Sequence, residues 1–233
     1  MVSYIRLKNN KSILMNHCLG LLALLIAGVV SGQSVLSKIP ASGRSIMSFV
    51  PPGYDTLATA SGDLNNDKLE DIAIVLKSLA ESSDSMFDEG PNRILVIVFK
   101  RSSGYQVVGK NDSVILCRTC GGIYGDPFAE MEIKRNVLTI IHFGGSNWKW
   151  ELTHRFRYQQ NDFYLIGEKD YNYWGKYCKS LEDWAGTDLK DINYLTGQYE
   201  EKKITEECKV LVNKKGKRPV QPLKKLSDFK IEN

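Results

Sequence analysis

The chain has 233 residues, with 31 Lys/Arg against 27 Asp/Glu and a formal charge of +4. Three of the basic residues, Arg6, Lys8 and Lys11, stand at the extreme N-terminus with no acidic neighbour. The remaining balance implies no nucleic-acid partner, and the length suits one domain with a real core.

The N-terminal stretch pairs that positive start with an apolar run from Cys18 to Val30, followed by the compact Val30, Ser31 and Gly32. These are the three regions of an export signal, residues 1–32, removed from the mature protein. The strongly apolar part is short for a permanent span, which needs roughly 20 apolar residues. No stable membrane span is therefore expected after signal cleavage. The expected location is the bacterial envelope, periplasmic or secreted.

Export sets how the cysteines are read. Cys117, Cys120, Cys178 and Cys208 lie beyond the signal, an even number in an oxidising compartment. Four cysteines permit three pairings, and sequence proximity favours Cys117 with Cys120 and Cys178 with Cys208. Two other readings of Cys117 and Cys120 stay open at this point. One is a thiol-active pair in an envelope redox protein, and the other is a zinc site completed by Cys178 and Cys208.

Residues 33–54 form an N-terminal lead-in, broken by Pro51, Pro52 and Gly53. A first strand enters the polar stretch "GDLNNDKLED", and "DIAIVLK" (71–77) is a second. "RILVIVFK" (93–100) is apolar throughout, the mark of a strand buried on both faces. It turns through Ser-Ser-Gly into "YQVVGK". A further block starts with "VILC" at Val114. "AEMEIKR" and "VLTIIHFGG" then flank a turn at Arg135 and Asn136, and "WKWELTHRFRYQQ" and "DFYLIGEK" flank another at Asn161 and Asp162. Trp148, Trp150, Leu152, His154, Phe156 and Tyr158 alternate with Lys149, Glu151, Thr153, Arg155 and Arg157. That period of two predicts a strand with one buried face. "DINYLTGQYEEKKI" reads as a pair turning near Thr196 and Gly197. Residues 209–233 hold eight Lys/Arg against two Asp/Glu and form a basic C-terminal tail.

No long amphipathic helix and no βαβ rhythm occurs after the signal. The fold expected is a mainly β single domain, residues 55–208, of antiparallel sheets in a β-meander, arranged as a sandwich or as part of a propeller.

Oxygen-bearing side chains recur in the loop at alternate positions: Asp63, Asn65, Asp67 and then Asp71, with the Leu69 carbonyl between the last two. A curled backbone delivers such a set to a hard cation that wants six to eight oxygens. The bland alternative is a polar turn, because Asp and Asn favour turns in any case. The stretch "DLNNDKLEDIAIV" resembles the calcium loop of FG-GAP and VCBS-type repeats, Asp-x-Asp/Asn-x-Asp-Gly-x-x-Asp before a hydrophobic strand. The resemblance implies Ca2+ as cofactor, held by Asp63, Asn65, Asp67, the Leu69 carbonyl and Asp71. Lys68 stands where the pattern has glycine. Only one such loop occurs, and the resemblance covers residues 60–77.

"CRTCGGIYGDPF", "HFGGSNWKWELTHRFRY" and "DFYLIG" are similar to a second pattern, that of small secreted bacterial proteins with no established activity. The aromatic residues at 148, 150, 156 and 158 have the chemistry to stack on a sugar, but one shared strand face favours core packing. Gly121, Gly122, Gly125, Gly144 and Gly145 allow either close ligand approach or close backbone contact. His142 and His154 read as packed residues. No Gly-x-Ser-x-Gly, His-Glu-x-x-His or phosphate-binding glycine loop is present, so the residues assign no catalytic set. The expected role is that of an exported calcium-binding β domain in structure, adhesion or inhibition, with a protein or glycan partner. The alternatives are the thiol-active protein and a module docking an anionic surface through its basic tail.

Overall fold

A computed structural model describes residues 34–81 and 93–231 of the chain. These belong to one unit, Ser34–Asn233. The expected signal, 1–32, lies outside the described residues, as does most of the Ser/Asp-rich connection between 78 and 92.

Fourteen strands follow in order: β1 (Ser42–Gly43), β2 (Tyr54–Gly62), β3 (Asp71–Ser78), β4 (Ile94–Arg101), β5 (Gly104–Asn111), β6 (Phe128–Lys134), β7 (Val137–Gly145), β8 (Trp148–Gln159), β9 (Asp162–Trp174), β10 (Tyr177–Cys178), β11 (Asp183–Trp184), β12 (Asp188–Asn193), β13 (Gln198–Ile204) and β14 (Val210–Lys217). They form a five-stranded sheet in the order β1-β5-β4-β3-β2 and a seven-stranded sheet in the order β14-β13-β12-β9-β8-β7-β6, with β10 and β11 as a separate pair. Every strand pairing is antiparallel. Apart from β1, each sheet is a meander, with the β10–β11 pair inserted between the neighbours β9 and β12 of the larger one. The mainly β, antiparallel expectation holds.

The continuous apolar runs of β3 and β4 have a simple cause: both faces of the smaller sheet are covered. Ala73, Val75, Leu95, Ile97 and Phe99 face the larger sheet and share a core with Leu138, Ile140, Phe156, Phe163 and Leu165. Ile72, Ile74, Leu76, Ile94, Val96 and Val98 face the other way, against Ile39 and Phe49 of the lead-in. Residues 34–50 are therefore a lid on the smaller sheet's outer face. Burying an Ile or Phe side chain contributes roughly 1.5–3 kcal/mol, so this second face is a major stabilising element.

The period-two reading of β8 is also met. Leu152, His154, Phe156 and Tyr158 point into the sandwich, while Trp148 at the strand's start is 43% exposed and packs on Trp174 instead. Tight hairpins join β6 to β7 and β8 to β9. Arg135 and Asn136, then Gln160 and Asn161, all take positive φ, the backbone twist a two-residue hairpin needs. The second turn thus falls one residue earlier than the sequence suggests, and β9 runs five residues past Lys169.

One expected strand is absent. Val114 to Cys117 is a buried bend that carries the chain from one sheet to the other. Its apolar residues fill the shared core, and the Leu116 amide donates to Nε2 of His142 rather than to a neighbouring strand. Composition alone does not separate a buried crossing from a buried strand.

The C-terminal segment is built into the fold. β14 forms the outer edge of the larger sheet, and the chain then returns beneath it as a strap. Leu226, Phe229 and Ile231 enter the core. Asn111 holds the strap by donating from Nδ2 to the carbonyls of Leu226 at 2.7 Å and Phe229 at 2.9 Å.

Candidate functional site

The 63–71 loop joins β2 to β3. Asp63 folds it first: its Oδ1 accepts from the amides of Asn65 and Asn66, and its Oδ2 accepts from the amide of Lys68 at 2.9 Å. Asn65 Oδ1 accepts from the Asp67 amide, and Asp67 Oδ1 from the Leu69 amide. Each acidic or amide side chain thus turns the backbone two residues ahead, which is why Asp and Asn recur at every second place. Asn66 and Lys68 take positive φ, 67° and 66°. Lys68 therefore adopts the bend for which the resembling pattern uses glycine, at a cost of about 1 kcal/mol.

Two anchors fix the loop to the body. Leu64 is buried in the core, and the Asp63 carbonyl accepts from Asn136 Nδ2 at 2.7 Å. Asp71 closes the loop from below and is fully buried. Its oxygens accept from the amides of Leu64 and Lys100, both at 2.9 Å. Burial pushes its pKa up, with Asp67 and Asp63 adding to the rise against those two hydrogen bonds.

The residues of the expected cage therefore share one loop, and their donor set suits a hard cation. Asp63, Asp67 and Asp71 each keep an oxygen with spare acceptor capacity. Their side chains, however, are turned onto backbone amides. Among the described residues no group of three or more His, Cys, Asp or Glu stands in a metal-holding arrangement. Asp67 Oδ2 instead takes Nδ2 of Asn65 at 3.0 Å and lies 3.7 Å from Arg101.

The glycine and cysteine motifs form a second locus. Cys117 is bonded to Cys120, and Cys178 to Cys208, the two pairs that proximity favours. Residues 118–120 form a turn, with no helix starting there, so the setting differs from that of a strand-to-helix redox pair. The two Gly-Gly pairs meet each other. Gly122 bridges Gly145, and the Gly145 amide donates to the Gly121 carbonyl at 2.9 Å. A Cβ on Gly144 would lie 2.8 Å from the Gly121 backbone and 2.4 Å from the Trp150 ring. Backbone contact, not an incoming ligand, occupies the space that these glycines leave.

Sequence reading missed Arg93. Its side chain is buried and binds Glu81 through Nε at 2.7 Å and Asp126 through Nη1 at 2.7 Å. Burial opposes the charge on Asp126, yet the Arg93 hydrogen bonds prevail and hold its carboxyl below the usual range. The one available signal was an arginine opening an otherwise unbroken apolar strand.

His142 and His154 are buried, as expected, and neighbour each other across β7 and β8. Burial, and for His142 also the nearby His154 and Arg93, lowers their pKa values to about 3 and about 4 respectively. Both are neutral imidazoles. Nδ1 of each lacks a hydrogen-bond partner among the described residues.

The fold and these sites define a two-sheet antiparallel β domain with two disulfide staples and an Asp/Asn-built loop beside the core. Among known proteins, no family model, no curated protein and no solved structure matches the chain. Among the described residues no helix is long and apolar enough to cross a membrane.

Proposed function

We propose that this is an exported calcium-binding β domain with a structural or adhesive role, its ion held by the 63–71 loop. The observation that carries the reading is the bend at Lys68: a residue with a Cβ takes positive φ at the glycine position of the pattern. Asp63, Asn65, Asp67, the Leu69 carbonyl and Asp71 would hold the ion, which would supply only positive charge and a fixed loop. Asp67 would release Asn65 Nδ2 and Arg101 to take part. Asp71, buried beneath the loop, would gain the compensating charge that its surroundings lack. Export is supported by the N-terminal signal pattern together with the two disulfides.

The test is a thermal melt of the processed protein with calcium, with magnesium and with chelator. Millimolar calcium should raise the Tm by a few degrees, as expected for a ligand that binds only the folded state. Asp67→Ala should abolish the shift and leave the chelated melt nearly unchanged. Absence of any calcium-dependent shift in the parent protein defeats the proposal.

A further inference from the structure

The larger sheet extends beyond the smaller one, and β12, β13 and β14 give no buried residue to the shared core. They form an overhang. The smaller sheet and the C-terminal strap cover the inner face of β6 to β9. On the outer face, near the C-terminal end of β9, a group of aromatic rings gathers, none of it from β8.

Strand register places these rings. Phe143, Glu151 and Tyr171 stand side by side across β7, β8 and β9, and Lys149 pairs with Tyr173. These positions alternate with Trp150 and Leu152, which pack against the core, so they face outward. Tyr171 and Tyr173 stack at 4.8 Å. Strand β11 is drawn onto them: Asp183 binds Lys202 and accepts from the Tyr171 hydroxyl at 3.5 Å, and Trp184 lies 5.5 Å from Tyr173. From the other side, the glycine loop brings Tyr124 to 5.2 Å from Phe143, with the Ile123 amide donating to the Gly145 carbonyl at 3.1 Å. Tyr177 meets Trp184 at 5.4 Å and completes the strip.

Mutual packing accounts for the inner rings but not for the two at the ends. Tyr124 and Tyr177 are each 48% exposed. Their contacts are edge-to-face, at interplanar angles of 60° and 76°, an arrangement that covers at most one face of either ring. The charges beside the rings are paired with one another, Lys169 with Glu151 at 2.9 Å and Lys202 with Asp183. Lys169 and Lys149 also lie over the Tyr171 and Tyr173 rings.

We propose that this aromatic strip binds a neutral, linear oligosaccharide laid along the sheet face. The carbon–hydrogen face of a sugar ring is apolar and slightly positive, which suits the negative face of a tyrosine ring. Sugar hydroxyls both donate and accept, so the Glu151–Lys169 pair serves them without being broken: the carboxylate has spare acceptor capacity and the ammonium further hydrogens. Charges already matched on the protein favour a ligand that brings none. A peptide suits this face less, because β8 and β9 are central strands whose backbone groups serve their own ladders. Open rings at both ends of the strip, Tyr124 and Tyr177, require a ligand several sugar units long. The inference names a partner class for an adhesive role and uses no residue of the 63–71 loop.

The experiment titrates the full processed chain, in chelator, with cellotetraose, N-acetylchitotetraose and tetragalacturonate. Calorimetry gives affinity, and the indole N–H signal of Trp184 gives location. At least one neutral tetramer should bind, shift the Trp184 signal and exceed tetragalacturonate by at least about tenfold. Tyr124→Ala and Tyr177→Ala should each weaken that binding by at least about threefold. Both side chains are exposed, so the melt should stay unchanged. Tyr177→Ala alone carries the test if Tyr124→Ala disturbs the glycine loop. Chelator separates this strip from the ion, so either proposal can fail while the other stands. No binding of either neutral tetramer, equal binding of tetragalacturonate, a Trp184 signal that does not move, or affinity indifferent to the substitutions would each overturn the proposal.

Discussion

The two ends of the molecule are stabilised by different physics. In the smaller sheet, β3 and β4 are buried on both faces, and the buried arginine that precedes β4, Arg93, is satisfied twice over. In the overhang, β14 is largely exposed and β13 half-buried, and they hold together through cross-strand charge and a covalent staple. Lys215 pairs with Glu200 at 3.0 Å, Arg218 with Glu201, and Lys202 with Asp183. Cys178 and Cys208, with Ala185 and Ile204, make the small core of this end. Surface ion pairs contribute about 0–1 kcal/mol each, so the disulfide carries the overhang, whereas burial carries the sandwich. The comparison also gives the basic C-terminal residues a plain structural use. Lysines on an exposed edge strand discourage pairing with another chain.

Acid should separate the two ends most. His142 and His154 both lie in the sandwich, and their pKa values fall from 6.5 to about 3 and about 4. The unfolded chain takes up protons as pH drops through 6.5, and the folded chain does so only near those lower values. Stability is therefore full above about pH 6.5 and is lost as pH falls towards 4 and then 3. Urea melts between about pH 7 and pH 4 should show a loss on the order of several kcal/mol, and His154→Gln should flatten the slope. Arg93→Met comes next. It leaves Glu81 buried without its partner, and urea unfolding should show a loss of about 3–5 kcal/mol. Replacing Cys178 and Cys208 by Ser should cost about 2–4 kcal/mol. Hydrogen exchange should place that loss in β10 to β14 and leave β3 and β4 as protected as before, and loss of protection in β4 would break the contrast. Lys68→Gly is the smallest change. By relieving the positive φ it should stabilise by about 1 kcal/mol, read from the melt in chelator.

Much of the sheet order was legible because strands announce themselves by period and hairpins by their turn residues. Arg135 and Asn136 stand between two alternating runs, and local chemistry determined that hairpin. What escaped was set at long range. Arg93 stands 12 residues from Glu81 and 33 from Asp126, and only the closed fold brings the three together. Val114 and Ile115 have strand composition, but the chain must change sheets there, and topology overrides propensity. Leu226, Phe229 and Ile231 are three apolar residues scattered through a basic, proline-broken segment, a spacing with no period to detect. The loop was legible as a polar bend. The orientation of its carboxylates onto amides was not, because composition gives no side-chain torsions.

The strap has one more consequence, for the order in which the molecule can be made. Because Asn111 grips the carbonyls of Leu226 and Phe229, the interior is sealed by residues synthesised more than a hundred positions after their holder. A nascent polypeptide emerging from the ribosome can assemble its hairpins early, yet the sandwich stays ajar until Ile231 has been made. The core of such a chain is completed only once that strap is in place.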